Sequence, residues 1–221
     1  MAEEITKTKP ENTALTRLKI DAPANVLVLL REKTDASLLG LKIMASALKQ
    51  SSPAIYATTE KSVEGLKVLG ARQGINLARF EQKNVLYWID CYSLQAKKNV
   101  QPSQSIERIA SPLDLTNLAV AVGRAQKNFY SYRKYFHVLE SISVSPLAQP
   151  NASKADYWLY FDSLTTLLKA NGLKAIERFL TAQLERGRKA NGLSFYTLSK
   201  AKSSPMEIKK LSALMDRVVE I

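Results

Sequence analysis

The sequence predicts an α/β domain with a mostly parallel central sheet covered by helices on both faces. Two observations predict it: short apolar runs of strand length recur along the chain, and segments with apolar residues at helical spacing stand between them. Strands that alternate with helices return to the sheet by right-handed crossovers, which makes neighbouring strands parallel. The 221 residues suit one large domain of this class. Residues 1–23 read as a flexible N-terminal arm and residues 24–221 as the single domain. The opening MAEEITKTKPENT alternates charges around Pro10 and has nothing to bury.

The first element is NVLVLL from Asn25, apolar almost throughout and so suited to a central strand buried on both faces. Residues 37–50 follow with Leu38, Leu41, Met44 and Leu48 at helical spacing, and AIYATT after Pro53 makes a second strand. Residues 63–73 form the next helix, with Leu66 and Leu69 inward and Gly74 just past its end. VLYWID is a third strand, and residues 95–109, polar and interrupted by Pro102, read as a surface loop. The strongest periodicity comes next. Leu115, Leu118, Val122, Ala125, Phe129, Tyr132, Phe136 and Leu139 lay one apolar stripe along a helix started by Asp114. That stripe spans about 37 Å, long for one face of a compact domain, so its distal end is expected to meet a partner, another copy or the following loop. The loop covers residues 143–155, with Pro146, Pro150 and Asn151. YWLYF is a fourth strand, residues 174–189 a helix with Ile176, Leu180 and Leu184 inward, and LSFYTL a fifth strand. Residues 206–215 add a helix and RVVEI a sixth strand.

Composition removes several classes of function. The one cysteine, Cys91, lies in the apolar run VLYWIDC and reads as a buried structural thiol, and a lone cysteine allows no internal disulfide. With His137 as the only histidine, a zinc cluster or a Cys-His nucleophile lacks ligands, and no metal is expected. No apolar run reaches the ~18 residues a membrane span needs, so no membrane insertion and a cytoplasmic location are expected. Lys and Arg outnumber Asp and Glu by 32 to 20, a net charge of +12 that attracts polyanions, nucleic acid among them.

Ligands of α/β sheets sit outside the carboxyl ends of the strands, and the residues there carry a resemblance. YFDSLTTLL at residues 160–168 resembles the Walker B strand of the RecA-superfamily ATPases and its continuation, in the KaiC-like, RadA-related archaeal branch. AIYATTEKSVEGLKVLGARQGINL at residues 54–77 resembles the family's strand that ends in paired carboxylates, with Glu60 in the first position and Lys61 in the second. VLYWIDCYS at residues 85–93 is similar to the next strand. The resemblance spans roughly the whole domain and implies a three-layer RecA-like P-loop NTPase fold.

The phosphate-binding loop departs from that family. The motif G-x-x-x-x-G-K-[ST] wraps backbone amides round phosphates, neutralises them with Lys and binds magnesium through the hydroxyl. LREKTDAS at residues 30–37 lies over it, with Leu30 and Asp35 for the glycines and Ala36 for the lysine, leaving only Ser37 of its type. Asp35 would put a negative charge where phosphate goes, and phosphoryl transfer rests on positioning and electrostatics. ATPase activity is therefore expected to be lost, with no cofactor and with Ser37, Glu60, Asp162 and Ser163 as vestigial nucleotide-site positions. Each of these has a plainer reading. Ser37 reads as a helix cap and Glu60 as an acid favoured at a helix start. Asp162 reads as the cap of the helix after its strand rather than as a retained magnesium-coordinating acid. Tyr130, Arg133 and Lys134, off the apolar stripe, and Arg186, Arg188 and Lys189 are the candidate surface for nucleic acid or a partner.

The resemblance implies a non-catalytic ATPase paralogue, a regulatory, adapter or assembly subunit that joins its own copies or RecA-like partners, in archaeal recombination and repair or motility regulation. The alternative is a nucleic-acid-binding protein that uses the basic surface without nucleotide.

Overall fold

The computed structural model describes residues 20–96, 103–142 and 155–221, with the side chains of residues 130–142 outside the description. The expected arm at 1–23 lies outside it except for its last four residues, of which Ile20 and Ala22 pack against the core. Residues 143–154, most of the second expected loop, also lie outside it.

Seven strands form one open sheet: β1 (Ala24–Leu30), β2 (Ala54–Thr58), β3 (Leu86–Asp90), β4 (Ile106–Arg108), β5 (Tyr157–Phe161), β6 (Gly192–Ser199) and β7 (Arg217–Glu220). Their order across the sheet is β4-β3-β2-β5-β6-β1-β7, and every pairing is parallel. Seven helices connect them: α1 (Ala36–Lys49), α2 (Val63–Arg72), α3 (Ala78–Gln82), α4 (Leu115–Ile142), α5 (Leu164–Asn171), α6 (Leu173–Lys189) and α7 (Pro205–Leu214). The α/β class with a parallel sheet is as the sequence predicts, and the architecture is compatible with a three-layer RecA-like fold.

Why the helices segregate follows from strand alternation. In β1, Val26, Val28 and Leu30 point to one face, where Leu41 and Met44 of α1 and Val63 and Leu66 of α2 close the core. Leu27 and Leu29 point to the other, under Leu118 and Val122 of α4, Leu164 of α5, Leu180 and Leu184 of α6 and Leu211 of α7. All seven residues of β1 are buried, as an inner parallel strand requires.

Two elements depart from expectation. The segment at 95–109 was expected to be loop throughout, yet it contributes β4, which pairs Ile106 with Trp88 and Glu107 with Ile89. Residues 78–82 form the short α3, whose Phe80 packs against the core. The stripe on α4 is half accounted for: Leu118, Val122, Ala125 and Phe129 are core. Tyr132, Phe136 and Leu139, on which the expected interface rests, lie outside the described side chains.

α1 sits unusually low on the sheet. A Cβ at Gly40 would run into the ring of Tyr160, so only glycine lets this helix rest on that ring. Gly40→Ala is expected to destabilise the domain by about 1–3 kcal/mol through overpacking, read as a drop in Tm. Tyr160→Leu should reduce the penalty of the alanine in the double variant, because the ring is what the methyl meets.

Candidate functional site

β2 and β5 are neighbours, but their connections leave in opposite directions and over opposite faces, α2 toward β3 and α5 toward β6. A crevice at such a switch point, outside the carboxyl ends of the strands, is the usual ligand site of an open α/β sheet. The loops after β1, β2 and β5 surround it, and they carry Ser37, Glu60, Asp162 and Ser163.

The loop after β1 ends in a helix cap built from its own acid. Asp35 is the N-cap of α1, in extended conformation, and its Oδ1 accepts from Ser37 N at 2.9 Å and Leu38 N at 3.2 Å. The expected cap, Ser37, is instead inside the first turn, since both residues are good caps and the helix begins one residue after Asp35. Lys61 Nζ lies 3.4 Å from each Asp35 oxygen. The first turn is held from below as well: Tyr160 Oη donates to Ala36 O at 2.6 Å and Tyr56 Oη reaches Ser37 O at 3.4 Å. Burial first, then the Asp162 charge, hold both phenols well above their ordinary pKa, so both stay protonated donors. The amides that would receive an outside anion are thus taken by Asp35, and the residues present do not fit a bound phosphate at this turn.

The loop after β5 is bound to β2 rather than opened to solvent. Asp162 is 1% exposed. Its Oδ1 accepts from Thr59 N at 2.8 Å, and its Oδ2 lies 3.1 Å from Thr58 Oγ1 and 3.3 Å from Tyr56 Oη. Thr59 Oγ1 donates to the Asp162 carbonyl at 2.8 Å. Asp162 therefore does not cap α5, as expected from sequence; it ties β5 to β2. The cap is Ser163, in the left-handed region at φ 68°, with Oγ accepting from Thr166 N at 3.2 Å. Its own N–H donates to Thr197 Oγ1 of β6 at 3.0 Å, which fixes the unusual backbone. Glu60 serves this helix rather than α2, whose cap is Ser62: Thr166 Oγ1 donates to Glu60 Oε1 at 2.8 Å. Thr58, Thr59, Thr166 and the two tyrosines were not singled out in the sequence. The one signal was Lys61, a base standing where the resemblance calls for a second acid.

No group of three or more metal-ligating side chains occurs among the described residues. Cys91 is fully buried as expected, and burial pushes its thiol well up, so it is not a nucleophile. The second candidate surface divides. Tyr130, Arg133 and Lys134 lie outside the described side chains. Arg186 Nη1 donates to Ala119 O at 2.9 Å across Gly123 of α4. Arg188 bonds Asp216 Oδ1 at 2.7 and 3.1 Å, and Asp216 Oδ2 accepts from Asn25 N at 2.8 Å, which fastens the start of β7 to α6 and β1. Lys189 pairs with Glu185 at 2.6 Å along the helix. The two arginines thus bind the fold together, where the sequence suggested an open basic face.

Hydrogen counting at Asp162 sets up a pH dependence. Thr58 Oγ1 has one hydrogen and lies 2.8 Å from Lys61 O; Tyr56 Oη has one and reaches Ser37 O. Both can therefore leave Oδ2 without a donor, which favours a protonated carboxyl. Burial pushes Asp162 up from 3.8 to about 6, against the lowering effect of the Thr59 N–H and with a further rise from Glu60. A raised folded-state value stabilises the fold fully below pH 3.8, and that contribution is lost as pH rises through about 6. Asp162→Asn, neutral throughout, is therefore expected to be more stable than wild type above this range by about 1–3 kcal/mol. The gap should close toward pH 4 in a series of thermal melts; a gap independent of pH would contradict a buried, titrating Asp162.

Comparison with curated proteins finds no match. A family profile matches residues 24–221, from the first residue of β1 to the residue after β7, and the chain belongs to that family, the family of unknown function DUF7504.

Proposed function

We propose that this chain is a non-catalytic paralogue of the RecA/KaiC-like ATPases that works as a regulatory, adapter or assembly subunit. The observation that carries the reading is the Asp35 carboxylate on the first-turn amides of α1. In a phosphate-binding loop these amides face the nucleotide; here a side chain of the same loop supplies the negative charge, and Lys61 pairs with it. Asp162 supports the reading, because its carboxylate faces β2 and Tyr56 rather than the loop where magnesium would bind. A domain that keeps this sheet but fills its anion position from within is suited to holding other subunits rather than to turning over nucleotide. The partner class is a second copy or a RecA-like subunit. The net charge of +12 supports nucleic acid as the second reading, although Arg186, Arg188 and Lys189 are spent on internal bonds.

Magnesium-ATP at millimolar concentration is expected to leave Tm unchanged, since a ligand stabilises by RT ln(1 + [L]/Kd) and a weak site gives only about 0.1 kcal/mol. A dose-dependent rise that disappears in Ser37→Ala would overturn the reading. Nucleic acid is tested in parallel by titrating a labelled duplex at increasing salt, where binding through phosphates weakens steeply with log[salt].

A further inference from the structure

At the opposite end of the sheet from the crevice, under α6, lies a group of buried polar side chains that the proposed function does not use. Register brings them together: Asn25 of β1 stands beside Ser194 of β6, and Tyr157 of β5 stands beside Gly192. Gly192 makes room for the Tyr157 ring, which a Cβ there would strike. Ser194 and Tyr196 point to the same face of β6, and Gln183 lies one helical turn before Gly187 on α6. Gln126 reaches in from α4 and donates from Nε2 to Tyr157 Oη at 2.7 Å. Asn25, Gln126, Tyr157, Gln183, Ser194 and Tyr196 are each at most 6% exposed.

These side chains carry polar atoms with no hydrogen-bond partner: Asn25 Oδ1, Gln126 Oε1, both amide atoms of Gln183, Ser194 Oγ and Tyr196 Oη. Turning the amides over does not remove the deficit. Both ends of Gln183 are unpaired, and a flipped Gln126 would leave its nitrogen in place of its oxygen. One such orphan costs about 1–3 kcal/mol, so several together would approach the whole stability of a domain. Gly187 leaves the space in which a partner fits. A Cβ at that position would lie 3.3 Å from Asn25 Oδ1 and 3.6 Å from both Ser194 Oγ and Tyr157 Oη.

The chemistry selects the occupant. Carbonyl oxygens of Asn25, Gln126 and Gln183 repel an anion. A cation finds no carboxylate among the unpaired groups, while Arg188 acts on Tyr196 and Arg186 on Tyr157. The two hydroxyls and the Gln183 amide need both donors and acceptors, which a neutral molecule with two of each provides. We propose that α6 at Gly187, with the amino-terminal ends of β1, β5 and β6, encloses a binding site for ordered water, held by Asn25, Gln183, Ser194 and Tyr196. The bridge would join α6 to the same Asn25 that Asp216 and Arg188 connect to β7.

Water relaxation dispersion on the full chain counts waters held longer than nanoseconds, and a crystal structure that resolves ordered water locates them. Wild type is expected to show at least one long-lived water within hydrogen-bond distance of Ser194 Oγ or the Gln183 amide. Gly187→Ala, which puts a methyl group among these atoms, is expected to lose that contribution to the dispersion. Should the alanine variant fail to fold, Ser194→Ala, which removes one partner and adds no volume, is expected to shorten the residence time instead. Density showing Gln183 and Ser194 bonded directly to protein atoms with no water between them, or identical dispersion in wild type and a folded Gly187→Ala, would overturn the proposal.

Discussion

The carboxylate of Asp35, resting on the amides of Ser37 and Leu38, is the contact on which the top of the sheet depends. A helix start needs a negative partner for its unpaired N–H groups, and the preceding loop supplies one at the shortest possible reach. The consequence is visible in the backbone. A loop that wraps phosphate needs glycine to bring successive amides inward, whereas residues 31–35 include no residue with positive φ. They close instead with a turn, Thr34 N to Arg31 O at 3.1 Å. Tyr56 and Tyr160 then hold the carbonyls of the same helical turn, and Gly40 lets α1 settle on the Tyr160 ring. Cap, tyrosines and glycine fix the start of α1 in one place.

A second acid does related work at the switch point. Asp162 joins β5 to the end of β2 through backbone and hydroxyl groups, and Glu60 joins the loop after β2 to the first turn of α5. The side chains that surround the crevice are thus bonded to one another across it. The difference between the two acids is burial. Lys61 and Asp35 are about half exposed, where an ion pair contributes little beyond orientation, whereas Asp162 is enclosed and its protonation responds to pH.

The succession of strands and helices was legible because each central strand is apolar on both faces and each long helix repeats at helical spacing. β4 was hidden because it has three residues, of which only Ile106 is buried, in a polar segment. The break between α5 and α6 occurs at Gly172, with φ 75°, but the apolar run before it reads as a continuation of the strand motif. At the site, residue types were legible and bonds were not. Asp35 and Ser37 are both capping residues, and only the start of the helix decides between them. The partners of Asp162 come from β2, far away in the chain, and no local pattern announces them. Arg186 and Arg188 look like a solvated basic face until Ala119, Gly123 and Asp216 are brought to them by the fold.

These contacts bear on function through a single question, whether the amino terminus of α1 is satisfied from within. An anion already on the helix amides competes with any phosphate at a local concentration that no free ligand reaches, because the chain itself delivers it. Crystals of the wild-type chain grown in magnesium-ATP would test this most directly. The account predicts Asp35 Oδ1 on the amides of Ser37 and Leu38, Lys61 beside it, and no phosphate at that turn; triphosphate density on those amides, with Asp35 swung away, would contradict it.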